Sequence, residues 1–497
     1  MCRSGMNYGE ISMDFLRIIM SWIIKKQHQR MERNKYVLIV LMWCCSHLCY
    51  GQDTLRLSHD EFLAIVKSYH PMAFKYRLQN RMADENIRRE RGNFDPVLDG
   101  KSGAKTIDGI DYYQQQGVGL NIPTWYGVAV SGSYSYLDGE KLNNSDTRGG
   151  LYQVGLTVPL AKNLLYDKRR ALLEQAHIAR RMTEAEQTLL TNELLLEAEN
   201  SYWEWVKQYE SYRIQRQAVH INRRRMDLVV KTLSYGEQAA IDTTEARAQL
   251  QRFELQERDA YFQYLNATQE LSLFMWKENR EPYDVTQWII PSEDLDDNVP
   301  HHSYPELLDR LDAQSLSRHA ALRYYDEKGN ILDSDRRLKL QSLLPKVDFT
   351  YNFFKKEGYA HNFFPFFDNN YQYGVKLEIP IFLRQARADY NMAKLKIGQN
   401  EMDFNFKRQE LATKMNRYRN EVINYAGQID MAKQNANSYE KLLIAEETKY
   451  ASGESSLFLI NSRENKLIEA QEKIIELYLK FLKSYNSLKW MNESFSN

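Results

Sequence analysis

From Leu160 to Tyr235 the chain runs 76 residues without a proline or a glycine. Ala, Leu, Glu, Gln, Arg and Lys dominate the run, and each favours helix. At 1.5 Å per residue a helix of that length measures about 110 Å, several times the usual globular helix. A second such run covers Glu237 to Glu281, and after Pro380 only Gly398, Gly427 and Gly453 interrupt the chain to its end. Apolar residues recur at spacings of three and four, as in Leu172, Ala176, Ala179 and Met182, then Tyr202, Val206 and Tyr209. That periodicity places one apolar stripe on each helix and predicts packing of coiled-coil type.

A different texture lies between these runs. Twelve of the 22 glycines fall between Gly92 and Gly155, in a stretch with strand-like alternation. "VAVSGSYSY" sets Val128, Val130, Tyr134 and Tyr136 against Ala129, Ser131, Ser133 and Ser135. "VGLTVPL" does the same with Val154, Leu156, Val158 and Leu160, and "DFTYNFF" opposes Phe349, Tyr351 and Phe353 to Asp348, Thr350 and Asn352. "VKLEIPI" opposes Val375, Leu377, Ile379 and Ile381 to Lys376 and Glu378. An apolar face opposite a charged one suits a strand between lipid and water, although a half-buried soluble sheet alternates in the same way. The aromatic cluster "NFFPFF" at 362–367 suits the interfacial girdle of a membrane barrel.

The elements recur in one order. A helix ends before a proline (Pro96, then Pro345), strands follow and end at another proline (Pro159, then Pro380), and a very long helix runs to a Gly-Glu before a second helix. The first repeat is read as 52–281, with strands over 97–160 and a helical hairpin over 161–281. A connector rich in proline covers 282–311. The second repeat is 312–497, with strands over 346–381 and a helical hairpin over 382–492. The longer first strand region predicts an additional hairpin around "GLNIPTWYGVAV", giving four to six strands per chain, with the hairpin either in the membrane sheet or on its periplasmic side.

Residues 1–51 read as an upstream segment and signal peptide, with the true start at Met31 and cleavage after Gly51. The apolar core from Tyr36 to Cys45 is too short to span a bilayer. All four cysteines (Cys2, Cys44, Cys45 and Cys49) lie here, which excludes a disulfide scaffold, Cys metal sites and Cys catalysis downstream. Beyond Gly51 there are 59 basic and 63 acidic side chains, a net of −4 and no footprint for nucleic acid. His301 and His302 are adjacent and lack an acidic or Cys cluster, so no metal site is expected there. With no phosphate loop and no nucleophile, base and acid set, neither an enzyme nor a cofactor is expected.

In order along the chain, "HPMAFKYRLQNRMADENIRRERGNFDPVL", "VGLTVPLAKNLLYDKRRALLEQA", "SYGEQAAIDTTEARAQL", "LLPKVDFTYNF", "VKLEIPIFLRQARADYNMAK" and "YASGESSLFLINSRENKL" resemble the TolC-like outer-membrane efflux protein family. The resemblance covers Leu55 to Met491. It implies a mainly α fold with a transmembrane β-barrel: a homotrimer in outer-membrane lipid, sharing one barrel and a long α-helical tunnel through the periplasm. It also implies two partners, a periplasmic adaptor and an inner-membrane RND or ABC transporter. Independently, four to six strands cannot close a barrel alone, since known barrels begin at about eight and lipid forbids open edges.

By the same resemblance, Tyr235, Gly236 and Glu237 with Ser452, Gly453 and Glu454 are the helix tips where an adaptor docks; a turn followed by an acidic helix start accounts for the same residues. Asp242 and Tyr450 match positions of the family's entrance gate. Leu459 and Ser462 stand where relatives carry an acid pair, which leaves a plug of Leu459 or Phe458 as the other arrangement. Asp348, Lys376 and Glu378 are read as barrel-lumen residues on alternation. The function expected is a passive exit duct for efflux. A type I secretion duct for polypeptides, or a structural periplasmic coiled-coil protein without a channel, are the alternatives.

Overall fold

The computed structural model describes residues 55–143, 146–236, 239–283, 289–292, 295, 304–310, 316–358 and 370–492. The signal segment, Glu237, the His301–His302 pair and the aromatic cluster at 362–367 lie outside these residues. The chain divides into two units, and the smaller, 1–56 with 286–290, has only Leu55, Arg56, Ile289 and Ile290 described. Apart from those four residues, the elements that follow belong to the larger unit, 57–285 with 291–497.

Two helices open it, α1 (His59–Tyr69) and α2 (Pro71–Arg91), where the sequence led us to expect one. His70 separates them because its extended backbone precedes Pro71, which fits only the first turn of a helix. Four strands follow: β2 (Val97–Ile107), β3 (Ile110–Pro123), β4 (Ala129–Asp138) and β5 (Gly149–Pro159), where β1 is the short Leu55–Leu57. The long α3 (Lys168–Ser234) and α4 (Ala240–Ser272) complete the first half. After β6 (Ile289–Pro291) and α5 (Tyr304–Arg310), the second half has α6 (Ala320–Gln341), β7 (Lys346–Lys356), β8 (Tyr371–Glu378), α7 (Arg384–Ala451) and α8 (Leu457–Met491). The long helices contain 67 and 68 residues, about 100 Å each, and the helices that return from them 33 and 35.

Both long helices stop in the same way. Gly236 (φ 76°) and Gly453 (φ 77°) occupy the left-handed conformation that L-residues avoid, just beyond the caps Tyr235 and Ser452. At the second tip the Gly453 N–H donates to the Tyr450 carbonyl (3.0 Å) and the Glu454 N–H to the Lys449 carbonyl (2.9 Å), which satisfies carbonyls the helix end leaves open. After the second tip α8 restarts on a polar cap, Ser456 Oγ accepting from Leu459 N; the long α3 itself begins on Asp167, whose Oδ1 accepts from Arg170 N.

α3 ties the two halves together. Near its start it meets α2 through Arg180–Asp84 (2.7 Å) and α6 through Arg181–Glu327 (2.8 Å). Further along it meets α4 through Arg223–Glu254 (2.9 Å) and α8 through Lys483–Glu204 (2.7 Å). Between the ion pairs run apolar clusters: Ile87, Leu173 and Ala176, then Ala218, Val219 and Phe253, then Val229, Ala246 and Leu457. Each fully buried Leu, Val or Phe adds about 1.5–3 kcal/mol. Small residues on α3, such as Ala171, Ala198 and Ala218, let the neighbouring helices approach.

The six long strands form one antiparallel sheet in the order β2-β3-β4-β5-β7-β8. β5 joins the halves by pairing with β7 across nine positions, Leu151↔Lys356 through Pro159↔Asp348. The additional hairpin expected from the sequence is therefore present, and it lies in the same sheet as the rest.

Candidate functional site: a two-faced sheet and the helix tips

Directly paired residues share a face, so the register sorts every side chain. One face carries the row Ile122, Val130, Leu156, Tyr351 and Tyr373, and beside it Val118, Tyr134 and Tyr152. Val158, Phe349 and Val375 form a further row, and Val347 pairs with Leu377. Its rings touch, with Tyr134 and Tyr152 centroids 4.8 Å apart and Tyr351 stacked on Tyr371 at 5.9 Å. From Tyr152 to Val158 the band is about 20 Å tall. Outside the irregular step at Lys105/Thr106, the only charges on this face of the six strands are Asp138 and Lys355, both at strand ends beside loops. The face is also the more exposed one on β5, where Tyr152, Val154 and Leu156 are open to solvent while Leu151 and Gln153 are half-buried and Gly155 is buried.

The opposite face carries Ser131, Ser133, Ser135, Gln153, Thr157, Asn352 and Gln372, with Leu137, Leu151 and Phe354 toward the loop ends of β4, β5 and β7. Asp348 pairs directly with Lys376 and Lys346 with Glu378, and Lys346 Nζ also lies 3.5 Å from Asp348 Oδ2. The three residues expected on one polar face thus share it and are brought together, with Lys346 completing two opposite-charge cross-strand pairs. Asp99, Lys101 and Lys105 on β2 occupy the same face. The sequence reading passed over β2, although the alternation in "VLDGKSGAK" already separates these charges from Leu98, Gly100, Ser102 and Ala104.

The helix tips are open. Tyr235 is 79% exposed, and Gly236, Ser452, Gly453 and Glu454 are exposed with it. Phe458 (67% exposed), Leu459 and Ser462 lie along one outward side of α8, while Leu457 turns inward and is buried. Tyr450 is half-buried against the cluster of Val229, Ala246 and Leu457. Asp242, half-buried in the first turn of α4, stands one turn before Ala246 on the same side of that helix. Tyr450 and Asp242 therefore border one cluster; Phe458, Leu459 and Ser462 point away from it.

Just behind the tips lies a polar lock that sequence reasoning missed. Arg225 on α3 meets buried Glu464 on α8 at 2.7 Å, Asn222 Nδ2 donates to the same carboxylate oxygen at 3.1 Å, and Arg225 also reaches Glu447 on α7 at 3.5 Å. Asn461 on α8 donates to Glu245 on α4 at 3.2 Å, and Ser455 to Glu446 at 2.5 Å. Apart from Ser455 and Glu446, which face each other across the tip, these partners are more than 200 residues apart in sequence, and nothing local marks them.

Where the returning helices α4 and α8 end, part-way along the long helices, two histidines act as caps. His70 Nδ1 accepts from Met72 N and His319 Nδ1 from Ala321 N, each at 3.2 Å. Burial lowers the pKa of both, that of His319 to about 4, with Lys407 and Arg323 adding to the effect. Among the described residues no cluster of His, Cys, Asp or Glu is arranged to hold a metal, and no helix is long and apolar enough to cross a membrane.

Residues 311–491 match the family model described as outer membrane efflux protein. No curated protein matches the sequence. Among solved structures, the chain is similar to the Campylobacter jejuni CmeC outer membrane channel, at 13% identity and a TM-score of 0.61, over 87% of this chain and 85% of that one. It is similar to the Vibrio cholerae outer membrane protein VceC at 13% identity and a TM-score of 0.59, over 87% and 95%. It is also similar to the open state of the Neisseria gonorrhoeae MtrE outer membrane channel at 13% identity and a TM-score of 0.61, over 87% and 88%. The resemblance drawn from the six sequence stretches is met on both counts, and the fold is that of outer-membrane efflux channels.

Proposed function

We propose that three copies of this chain form an exit duct in the outer membrane, each giving strands to one barrel and long helices to one periplasmic tunnel. The observation that carries the reading is the two-faced sheet: an apolar, aromatic band about 20 Å tall on one side, charges on the other, and long helices leading directly from β5 and β8. A soluble sheet would bury the apolar band against helices, and here it is open on β5 and β8. Copies meet along α7, whose Met392, Leu395, Met402 and Phe406 are 52–74% exposed at heptad-like spacing, a stripe suited to a neighbouring helix.

In this reading transport is passive. An inner-membrane RND or ABC transporter supplies energy, and an adaptor docks at the tips around Tyr235, Gly236, Glu237, Ser452, Gly453 and Glu454. In the resting state the tips are held by the Arg225–Glu464 lock and narrowed by Asp242, Tyr450, Phe458, Leu459 and Ser462; docking loosens them. Cargo then leaves past Asp348, Lys376 and Glu378 on the barrel's inner wall. Purified protein added to a planar lipid bilayer tests this: stepwise ion conductance is expected, and protein that stays in solution without altering the bilayer would overturn the reading.

A further inference from the structure

We infer that the barrel of this duct has eighteen strands, six from each copy, closed by β8 of one copy pairing with β2 of the next. The inference rests on the trimeric reading above and extends it to the width of the pore.

Three features place β2 and β3 in the wall. First, β3 pairs with β4 over ten consecutive residues, Gln114↔Asp138 to Pro123↔Ala129, so the outer edge of β4 is already taken and cannot accept a strand from another copy. Second, the hairpin keeps its charges where the rest of the sheet does: Asp99, Lys101 and Lys105 all lie on the polar face, while the apolar one has Leu98, Val118, Leu120 and Ile122, followed toward the loop by the uncharged Ser102, Gln116 and Gln114. Lipid penalises a charge on the outer face by about 2–4 kcal/mol near the midplane, and β2 places none there.

Third, the hairpin is seated on the helices at both of its ends. β2 starts just after the single turn Gly92–Phe94 that ends α2, and the turn between β3 and β4 returns to the same level. There Trp125 stacks on Phe94 with ring centroids 4.4 Å apart and planes 13° from parallel. Gly127 (φ 80°) fits against the Asn163 carbonyl and the Arg170 guanidinium, where a Cβ would come within 3.1 Å and 3.0 Å. A strand pair fixed in this way has no freedom to swing into the lumen.

What remains open is the two edges. Every residue of β2 and of β8 is exposed. Unpaired edges are not tolerated in lipid, and six strands are too few to close on themselves. A second copy is the fitting occupant: β8 carries Lys376 and Glu378 on its polar face and β2 carries Asp99 and Lys101 on the same face, so opposite charges can meet in either of two registers. Barrel diameter grows roughly linearly with strand number, so eighteen strands give a lumen about one and a half times as wide as twelve. Such a pore admits bulkier hydrophilic cargo than a twelve-stranded one.

Paired cysteines test the closure, because the sequence has no cysteine after Cys49. Gln372→Cys on β8 is combined in turn with Asp99→Cys, Lys101→Cys or Gly103→Cys on β2, and separately with Ser131→Cys, Ser133→Cys or Ser135→Cys on β4. A Cβ at Gly103 meets nothing within 4 Å, so that substitution is accommodated. Outer membranes are oxidised and run without reductant, and the native mass of each variant is measured in mild detergent. Covalent dimers and trimers from at least one β2 pair, with none from the β4 pairs, are expected. Linkage through β4, or no linkage at all in a preparation of trimeric mass, would overturn the eighteen-stranded closure and leave the duct standing. A monomeric mass would instead remove the duct reading itself.

Discussion

His319 caps the start of α6 while its ring stands edge-on to Trp490, near the end of α8, with centroids 4.8 Å apart. The first half repeats the relationship: His70 caps α2 and stacks on Phe274, just after the end of α4, at 6.0 Å. In each half a capping histidine thus joins the short helix to the helix that returns from the tip.

Because His319 is buried, its folded-state pKa is near 4, below the ordinary 6.5. The unfolded chain therefore binds more protons between those values, and stability falls as pH drops from about 6.5 towards 4. The difference between 6.5 and about 4 corresponds to about 3 kcal/mol once the pH lies below both values. The thermal midpoint of detergent-solubilised protein should fall between pH 7 and pH 5, and His319→Asn, which keeps a cap without the charge, should show a smaller fall.

Arg225→Ala leaves the Glu464 carboxylate buried with only Asn222 beside it. Breaking a buried ion pair on one side costs about 3–5 kcal/mol. A lower thermal midpoint is expected, together with faster proteolysis near the tips. Arg225→Ala with Glu464→Gln should recover part of the loss, which a simple loss of side-chain volume would not allow.

Gln153 and Val154 are neighbours on opposite faces of β5. Val154→Lys places a charge on the apolar band and should cut the amount of protein recovered in outer membranes, at a cost of about 2–4 kcal/mol. Gln153→Lys should insert normally. Equal recovery of the two would show that the apolar band does not meet lipid.

If the tips form the gate, Asp242→Asn and Phe458→Ala should each raise single-channel conductance in planar bilayers, while Gln372→Ala on the polar face of β8 should leave the closed state unchanged. Unaltered conductance in both tip variants would remove these residues from the gate.

Much of this fold is written in local chemistry. The run from Leu160 to Tyr235 contains α3, and Gly236 and Gly453 mark both tips, because proline, glycine and helical spacing act within a few residues. The alternation that placed Asp348, Lys376 and Glu378 on one face is equally local. What sequence could not supply were long-range partners. Arg225 and Glu464 are 239 residues apart, and Lys346 gains its meaning only once the β7–β8 register sets it opposite Glu378. His70 and His319 gain a role only from burial and capping geometry. The first helix split in two because Pro71 follows a residue that it forces out of helix.

The native mass of the protein extracted from outer membranes in mild detergent tests the central claim most directly. A trimer that leaves the membrane only with detergent is predicted, since six strands per chain can close a barrel only by association. A monomer, or protein released by a salt wash without detergent, would mean that the apolar face of the sheet does not meet lipid, and would contradict the duct.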